Sequence, residues 1–107
     1  MRKDSYDSAA YEAWLNDKGT SEDTRCVASV MEAWATTREN LPGQNGGGEE
    51  LKEFPESTTE IAADIQDMCD ADLQTINRWM RMHGFGMTTM DDGTIKWAIW
   101  RDISPMM

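Results

Sequence analysis

Apolar residues recur with the spacing of an α-helix in two segments of the N-terminal half of the chain. The first segment, residues 4–17, is followed by Gly19, a residue typical of helix ends. Tyr11, Trp14, Leu15 and Lys18 lie on one side of it. The second segment follows two candidate caps, Thr20 and Ser21, and its apolar side is formed by Val27, Val30, Met31 and Trp34. We expect this helix to end near Asn40, because the proline and glycine that follow cannot continue it.

Two further helices are predicted between residues 57 and 84. Ser57 and Glu60 have the spacing of a capping box, in which each side chain bonds a free backbone N–H of the other residue. The apolar side of this helix is formed by Ile61, Ala62, Ile65, Met68 and Cys69. Asp70 or Asp72 can cap the next helix, and Gly84 stands where a left-handed C-cap is expected. The apolar stripe of that helix is formed by Leu73, Ile76, Met80 and His83.

The segments 85–90 and 94–100 are rich in Thr, Ile, Trp and Met and flank an Asp-Asp-Gly turn, which predicts a β-hairpin. A two-residue turn would mix polar and apolar residues on both faces. A three-residue loop with Gly93 left-handed instead pairs Met87 with Trp97 and Phe85 with Ile99. We prefer this register, because burial of one face fixes the pairing. The apolar face would then contain Phe85, Met87, Ile95, Trp97 and Ile99, and the other face Thr88, Thr94 and Lys96.

These elements divide the chain into an N-terminal helix in residues 1–19, a domain in residues 20–100 and a frayed tail in residues 101–107. Residues 40–56 contain three consecutive glycines beside two glutamates, which is typical of a flexible loop. Phe54 and Pro55 are expected to form a short extended piece at its end. With 107 residues there is room for one core, and a hydrophobic fraction of 39% is enough to fill it.

The charge of the chain narrows the classes of partner. Twenty acidic residues against ten basic ones give a formal net charge of -10, which repels nucleic acid at long range and attracts basic proteins. No apolar run approaches the roughly 20 residues that cross a bilayer, so no membrane association is expected. The first residues show no apolar stretch of a secretory signal, and we therefore expect a cytoplasmic protein.

The sequence offers no catalytic constellation, and we expect a binding protein that is not an enzyme and carries no cofactor. Its one histidine, His83, lies at a predicted helix end, where a structural role is the ordinary one. Cys26 and Cys69 are interpreted as reduced thiols that pack as small hydrophobes, with a disulfide between them as the alternative. Two cysteines and one histidine are too few for a metal site.

Two helices joined by a short turn, the second ending in glycine, followed by a hairpin of alternating Trp and Ile, resemble a winged helix-turn-helix. The residues that carry this resemblance are Thr59-Glu60-Ile61-Ala62, Leu73-Gln74-Thr75-Ile76-Asn77-Arg78, His83-Gly84-Phe85 and Trp97-Ala98-Ile99. The resemblance covers roughly residues 24–100. It implies an α+β fold, mainly α with a C-terminal hairpin, in which the second motif helix enters the major groove of DNA. The strongly acidic composition departs from what such a function needs.

Two hypotheses about the partner follow. In the first, the protein is a small transcriptional regulator that binds double-stranded DNA. Its contacts would be Gln74, Thr75, Asn77, Arg78, Arg81 and Lys96, residue types suited to base edges and phosphates. Dimerisation through the helices 4–17 and 21–39 would strengthen such binding.

In the second hypothesis the protein is an acidic module that covers the basic surface of a nucleic-acid-handling protein, as phage-encoded inhibitors that mimic DNA do. Its contacts would be Asp64, Asp67, Asp72, Asp91, Asp92 and Trp100. The two hypotheses are separated by one feature, namely whether nearby aspartates neutralise Arg78 and Arg81.

Overall fold

The computed structural model of the chain describes residues 8–44 and 47–101. In this part of the chain it has four α-helices and small antiparallel sheets, which confirms the predicted α+β class with a C-terminal hairpin. The helices are α1 (Ser8–Asn16), α2 (Glu22–Trp34), α3 (Thr58–Ile65) and α4 (Leu73–Met82). The strands are β1 (Arg38–Glu39), β2 (Lys52–Glu53), β3 (Met87–Thr89), β4 (Ile95–Trp97) and β5 (Trp100–Arg101). The predictions for residues 4–7 and for the tail beyond Arg101 lie outside the described residues.

The second helix is capped as predicted but ends earlier than expected. Ser21 is the N-cap, and its hydroxyl accepts a hydrogen bond from the Thr24 N–H at 3.1 Å. The predicted end near Asn40 is wrong, because α2 stops at Trp34 and a single 3-10 turn follows. Residues 36 and 37 are threonines, which are poor helix formers, and the next two residues pair as strand β1 with β5. Pairing with β5 therefore places Arg38 and Glu39 in a strand instead of in the helix.

Helix α3 begins with the predicted capping box. The Ser57 side chain accepts from the Glu60 N–H, and the Glu60 carboxylate accepts from the Ser57 N–H. Ile61 and Ile65 of its apolar side are fully buried. Met68 is 58% exposed, because the helix has already ended at residue 65 and no longer directs that side chain inward.

Helix α4 is capped by Asp72, and Gly84 after it has the predicted left-handed conformation, with φ of 76°. Its buried stripe differs from the predicted one. Leu73 is 45% exposed, whereas Trp79, absent from the predicted stripe, is completely buried. The inner face is thus rotated toward Trp79, and this matters because it decides which α4 residues point outward.

The hairpin has the predicted register. Met87 pairs with Trp97 across the two strands, and Gly93 in the turn is left-handed with φ of 89°. The predicted apolar face is only partly covered. Phe85, Trp97 and Ile99 join the core, while Met87 and Ile95 are 54% and 61% exposed.

Strand β5 is central in a three-stranded sheet, with β1 on one side and β2 on the other. The contact with β2 extends past Pro55. The Phe54 N–H donates to the Ile99 carbonyl at 2.7 Å, and Glu56 and Trp97 exchange backbone hydrogen bonds of 3.2 and 2.8 Å. The expected extended piece before α3 is therefore present, as the end of a strand that joins the hairpin to the remainder of the sheet.

The core contains one buried polar cluster around His83. The His83 ring stacks on Trp79 with centroids 3.7 Å apart and meets Tyr11 edge-on at 4.4 Å. Its Nδ1 is 2.9 Å from the Trp79 carbonyl, and the Asn40 side chain donates to the His83 carbonyl at 2.7 Å. Burial lowers the pKa of His83, while the hydrogen bond to Trp79 opposes that shift. The histidine has the structural role expected from its position.

In the described residues, no helix combines the length and the apolar character that crossing a membrane requires.

Candidate nucleic-acid interface

Helix α4 is the element that directs cationic and amide side chains outward. Ile76, Trp79 and Met80 turn its inner face toward the core. Because residues three and four positions apart share a side of a helix, the exposed residues Gln74, Arg78 and Arg81 form one outer face. The helix sequence contains two arginines and no acidic residue, so this segment is positively charged in a chain with a net charge of -10.

The two arginines of this face form no ion pair with an acid in the part of the chain that the structure describes. Among residues 8–44 and 47–101, no carboxylate oxygen lies within 4.0 Å of either guanidinium. The central carbon of the Arg78 guanidinium lies 5.1 Å from the centroid of the Trp14 ring, a cation–π arrangement. The two hypotheses differ in whether nearby aspartates neutralise Arg78 and Arg81. In the described residues they do not, so both guanidinium groups are available to an outside partner.

Two of the predicted contact residues are used inside the protein. The Thr75 hydroxyl donates to the Asp72 carboxylate at 2.7 Å, and the Thr75 side chain is buried. Asn77 is half-buried, and its Oδ1 accepts a hydrogen bond from the Thr58 hydroxyl, which leaves only its amide N–H groups for an outside partner. Thr58 accepts in turn from the Trp97 indole at 3.0 Å. Thr75 therefore belongs to the cap of α4, and Asn77 ties α4 to α3 and, through Thr58, to the hairpin.

Lys96, the predicted phosphate contact of the hairpin, is paired. Its ammonium lies 2.7 Å from the Glu60 carboxylate. This hydrogen bond, together with that from the Ser57 backbone, lowers the pKa of Glu60 to about 2, and the same pair raises the pKa of Lys96. The ammonium thus faces a carboxylate of α3, and its charge is locally compensated.

Some acidic residues of the second hypothesis make hydrogen bonds that stabilise local structure, and others are exposed. Asp72 caps α4, and its hydrogen bonds with the Thr75 side chain and backbone lower its pKa. The Asp92 carboxylate accepts from both the N–H and the hydroxyl of Thr94, at 2.9 and 2.6 Å, and so shapes the hairpin turn. These bonds lower the pKa of Asp92. Asp67 and Asp91 are exposed.

Two members of that set lie against other elements of the fold. Asp64 accepts a hydrogen bond of 3.4 Å from the Trp34 indole and is 3.8 Å from the Arg38 guanidinium. Trp100 is half-buried in β5, between its two partner strands. Asp64 is exposed but pairs with Trp34 and Arg38, and Trp100 is only half-exposed.

An open cleft of about 820 Å³ adjoins the N-terminal part of α4. It lies between that helix and the turn from α1 to α2. Its walls are about equally polar and apolar and include Trp14, Thr20, Leu73, Gln74 and Arg78 together with the two aspartates Asp17 and Asp72. The outer face of α4 therefore continues into a recess instead of ending on a flat surface.

A cluster of charged residues between β1, β2 and α3 was not predicted from the sequence. The Arg38 Nε lies 4.0 Å from the Glu56 carboxylate without a hydrogen bond, and the guanidinium covers the Trp34 ring at 4.4 Å. Burial, then a hydrogen bond with Asp64 and the charge of Asp64, raise the pKa of Glu56 to about 7, although Arg38 opposes this. No local periodicity signals this cluster, because sheet pairing brings its members together.

The two cysteines differ in their surroundings. Cys26 is exposed on α2, so the interpretation of its thiol as a packed small hydrophobe is wrong at this position. Cys69 is half-buried against the core, and burial, with a smaller contribution from nearby Cys26, raises the pKa of its thiol. Both cysteines are free, and the described residues contain no group of three or more His, Cys, Asp or Glu placed to hold a metal ion.

Comparison with known proteins gives no family for this chain. No protein-family model, curated protein or solved structure matched it. A function for this protein is therefore inferred from the residues and geometry of the chain itself.

Proposed function

We propose that the protein is a small winged-helix regulator that binds double-stranded DNA through α4 without catalysing a reaction. The order of elements supports this: α2, β2, α3, α4 and then the β3–β4 hairpin is compatible with a winged-helix fold. In this interpretation α3 and α4 are the helix-turn-helix and residues 90–94 are the tip of the wing. Helix α1 is then an addition that precedes the fold.

The observation that carries the proposal is the cationic face of α4, whose arginines form no ion pair among the described residues. Arginine binds the O6 and N7 atoms of guanine with two hydrogen bonds, and glutamine binds adenine in the same way. From Gln74 to Arg81 the helix advances seven residues, or roughly 10 Å at a rise of about 1.5 Å per residue. This length corresponds to about three base-pair steps of 3.4 Å. The face therefore has the length and the donors to read a short site in the major groove.

The remaining surface sets the conditions of binding. A net charge of -10 opposes the approach of DNA, and Lys96 is compensated by Glu60. We therefore expect one copy to bind random duplex DNA weakly. Its dissociation constant should be at or above the micromolar range, which is typical of non-specific binding. Strong binding would require a specific site or a second copy of the chain.

The proposal is tested by titrating the protein with a random-sequence duplex across a salt series. We expect the variant Arg78→Ala/Arg81→Ala to bind at least tenfold more weakly than the parent at low salt, because two lost phosphate contacts also lose the counterion release that drives binding to random sequence. Each lost phosphate contact would also reduce the slope of log K against log salt by about 0.9.

The matched control is Lys52→Ala, which removes one exposed positive charge in β2, outside the cleft beside α4, and is compared with Arg78→Ala or Arg81→Ala made singly, which have the same net charge. A long-range charge effect would weaken the lysine and arginine variants equally. Equal loss in these single variants, or no binding of the parent even at low salt, would contradict the proposal.

The second candidate function, an acidic module that binds a basic protein, is favoured by the exposed Asp67 and Asp91 beside α3 and at the hairpin tip. It predicts that the parent displaces duplex DNA from a basic DNA-binding protein without itself binding DNA. Asp67→Asn/Asp91→Asn should then weaken the displacement, whereas Arg78→Ala/Arg81→Ala should not.

A further inference from the structure

The contact between Trp14 and Arg78 joins α1 to the outer face of α4. Arg78 is exposed and has no acidic partner in residues 8–44 and 47–101, and its guanidinium lies over an indole that is itself 8% exposed. The indole therefore forms a largely buried platform, and the guanidinium covers its outer side. A planar guanidinium stacked on a ring keeps its N–H edge free to donate to another group.

The platform is fixed because α1 is held at both of its ends. Near its start, the Tyr11 hydroxyl accepts a hydrogen bond from the Trp79 indole of α4 at 3.3 Å. At its end, the Thr20 hydroxyl donates to the Trp14 carbonyl at 2.6 Å, and Arg25 of α2 donates to the Leu15 carbonyl at 2.7 Å. These bonds satisfy backbone carbonyls that a helix end leaves free, and they fix the position of Trp14.

An unattached arginine on a helix surface loses rotamer freedom when it binds a partner, and this loss lowers affinity. A guanidinium already held on an aromatic ring has lost part of that freedom before binding. Since its N–H groups stay available, the ring restricts the side chain without occupying its donors.

We propose that Trp14 is a positioning residue for the DNA contact of Arg78, which makes α1 a working part of the nucleic-acid interface. This inference rests on the proposed function. Trp14 does not touch DNA in it. The indole holds the guanidinium where its N–H edge meets the acceptor atoms of a guanine or a phosphate.

The test is a double-mutant cycle on binding of the full chain to duplex DNA, with Trp14→Leu and Arg78→Ala made singly and together. An exposed cation–π contact is worth about 0.5–1 kcal/mol. We therefore expect Trp14→Leu to raise Kd about two- to fivefold in the parent and to change it little in Arg78→Ala. Trp14→Phe, which keeps an aromatic face, should restore most of the affinity.

The same leucine change in Arg81→Ala is the matched control, because Arg81 makes no contact with Trp14. There the two- to fivefold effect should persist. Circular dichroism and thermal unfolding identify which variants are folded at the assay temperature. If the leucine variant is not folded there, the cycle is made with Trp14→Phe, for which a smaller effect that depends on Arg78 is expected.

A second readout is independent of DNA. The Nε–H resonance of Arg78 should show a ring-current shift in the free protein that is lost in Trp14→Leu. An equal Kd for parent and Trp14→Leu, or a leucine effect of the same size with and without Arg78, would overturn the inference while the proposed function stands. Failure of the parent to bind DNA would overturn both, even if the resonance shift is present.

Discussion

Replacing Glu56 by glutamine is expected to stabilise the protein at pH 8 and to leave its stability nearly unchanged at pH 5. The Glu56 side chain retains 18% of its exposed surface. Burial is the largest cause of its raised pKa, the neighbouring Asp64 carboxyl adds to the shift, and Arg38 opposes it. Glutamine has nearly the same shape as protonated glutamate and does not ionise.

The sign follows from where each state loses its proton. In the unfolded chain Glu56 ionises near its ordinary pKa of 4.5, whereas in the folded protein it keeps the proton up to about pH 7. Between these values the folded state binds more protons, so the free energy of unfolding falls as the pH rises. At about 1.4 kcal/mol per tenfold change in proton affinity, the difference from 4.5 to about 7 corresponds to at most ~3.5 kcal/mol. Screening by solvent at this partly exposed side chain reduces this, and we expect about 1–3 kcal/mol.

Urea unfolding at pH 5 and pH 8 measures the effect. The difference between Glu56→Gln and the parent should be near zero at pH 5 and about 1–3 kcal/mol in favour of the variant at pH 8. Glu53→Gln, an exposed substitution in β2, is the control and should show no such change with pH. A difference that is the same at both pH values, or a variant less stable than the parent at pH 8, would refute this explanation of the cluster.

Two further predictions concern the core. Because burial lowers the pKa of His83, the unfolded chain takes up a proton that the folded protein resists, and stability should fall as the pH drops below the ordinary value of 6.5. The stability difference between His83→Phe and the parent should shift in favour of the variant between pH 7 and pH 5, and an unchanged difference would contradict the prediction. Trp79→Ala should destabilise the protein by about 3–5 kcal/mol, because it empties the space of a fully buried indole. A loss below about 1 kcal/mol in urea unfolding would show that Trp79 is not central to the core.

Local features of the fold could be predicted from the sequence because each depends on nearby residues. The capping box of Ser57 and Glu60 needs two residue types at one spacing, and it is present as predicted. The hairpin register depends on the alternation of apolar residues and on a left-handed Gly93, and both lie within fifteen residues. The local sequence determines the structure of such elements, and tertiary packing does not change it.

The errors occurred where a distant contact decides the outcome. Helix periodicity around Leu73 allowed more than one choice of inner face, and packing against α1 and α2 selected the one with Trp79. Strand β1 forms because Arg38 and Glu39 pair with Arg101 and Trp100, which lie more than sixty residues later in the chain. Neither result could be inferred from the spacing of neighbouring residues.

The candidate site shows the same division. Polar residues of α4 could be assigned to its outer side, and Gln74, Arg78 and Arg81 are exposed there. The bond from Thr75 to Asp72 and the pairing of Lys96 with Glu60 remove two predicted contacts. The capping bond is a local pattern that the sequence does contain. The lysine pairing depends on how the hairpin lies against α3, and so does not follow from local sequence.

The most direct test of the proposed function is to follow the backbone amide NMR signals of the protein while a short duplex is added at low salt. If α4 binds DNA, the shifts should be concentrated in Leu73–Met82 and in the neighbouring parts of the hairpin. They should be lost in Arg78→Ala/Arg81→Ala. Absence of any shift, or shifts confined to the acidic outer sides of α2 and α3, would contradict DNA binding by α4.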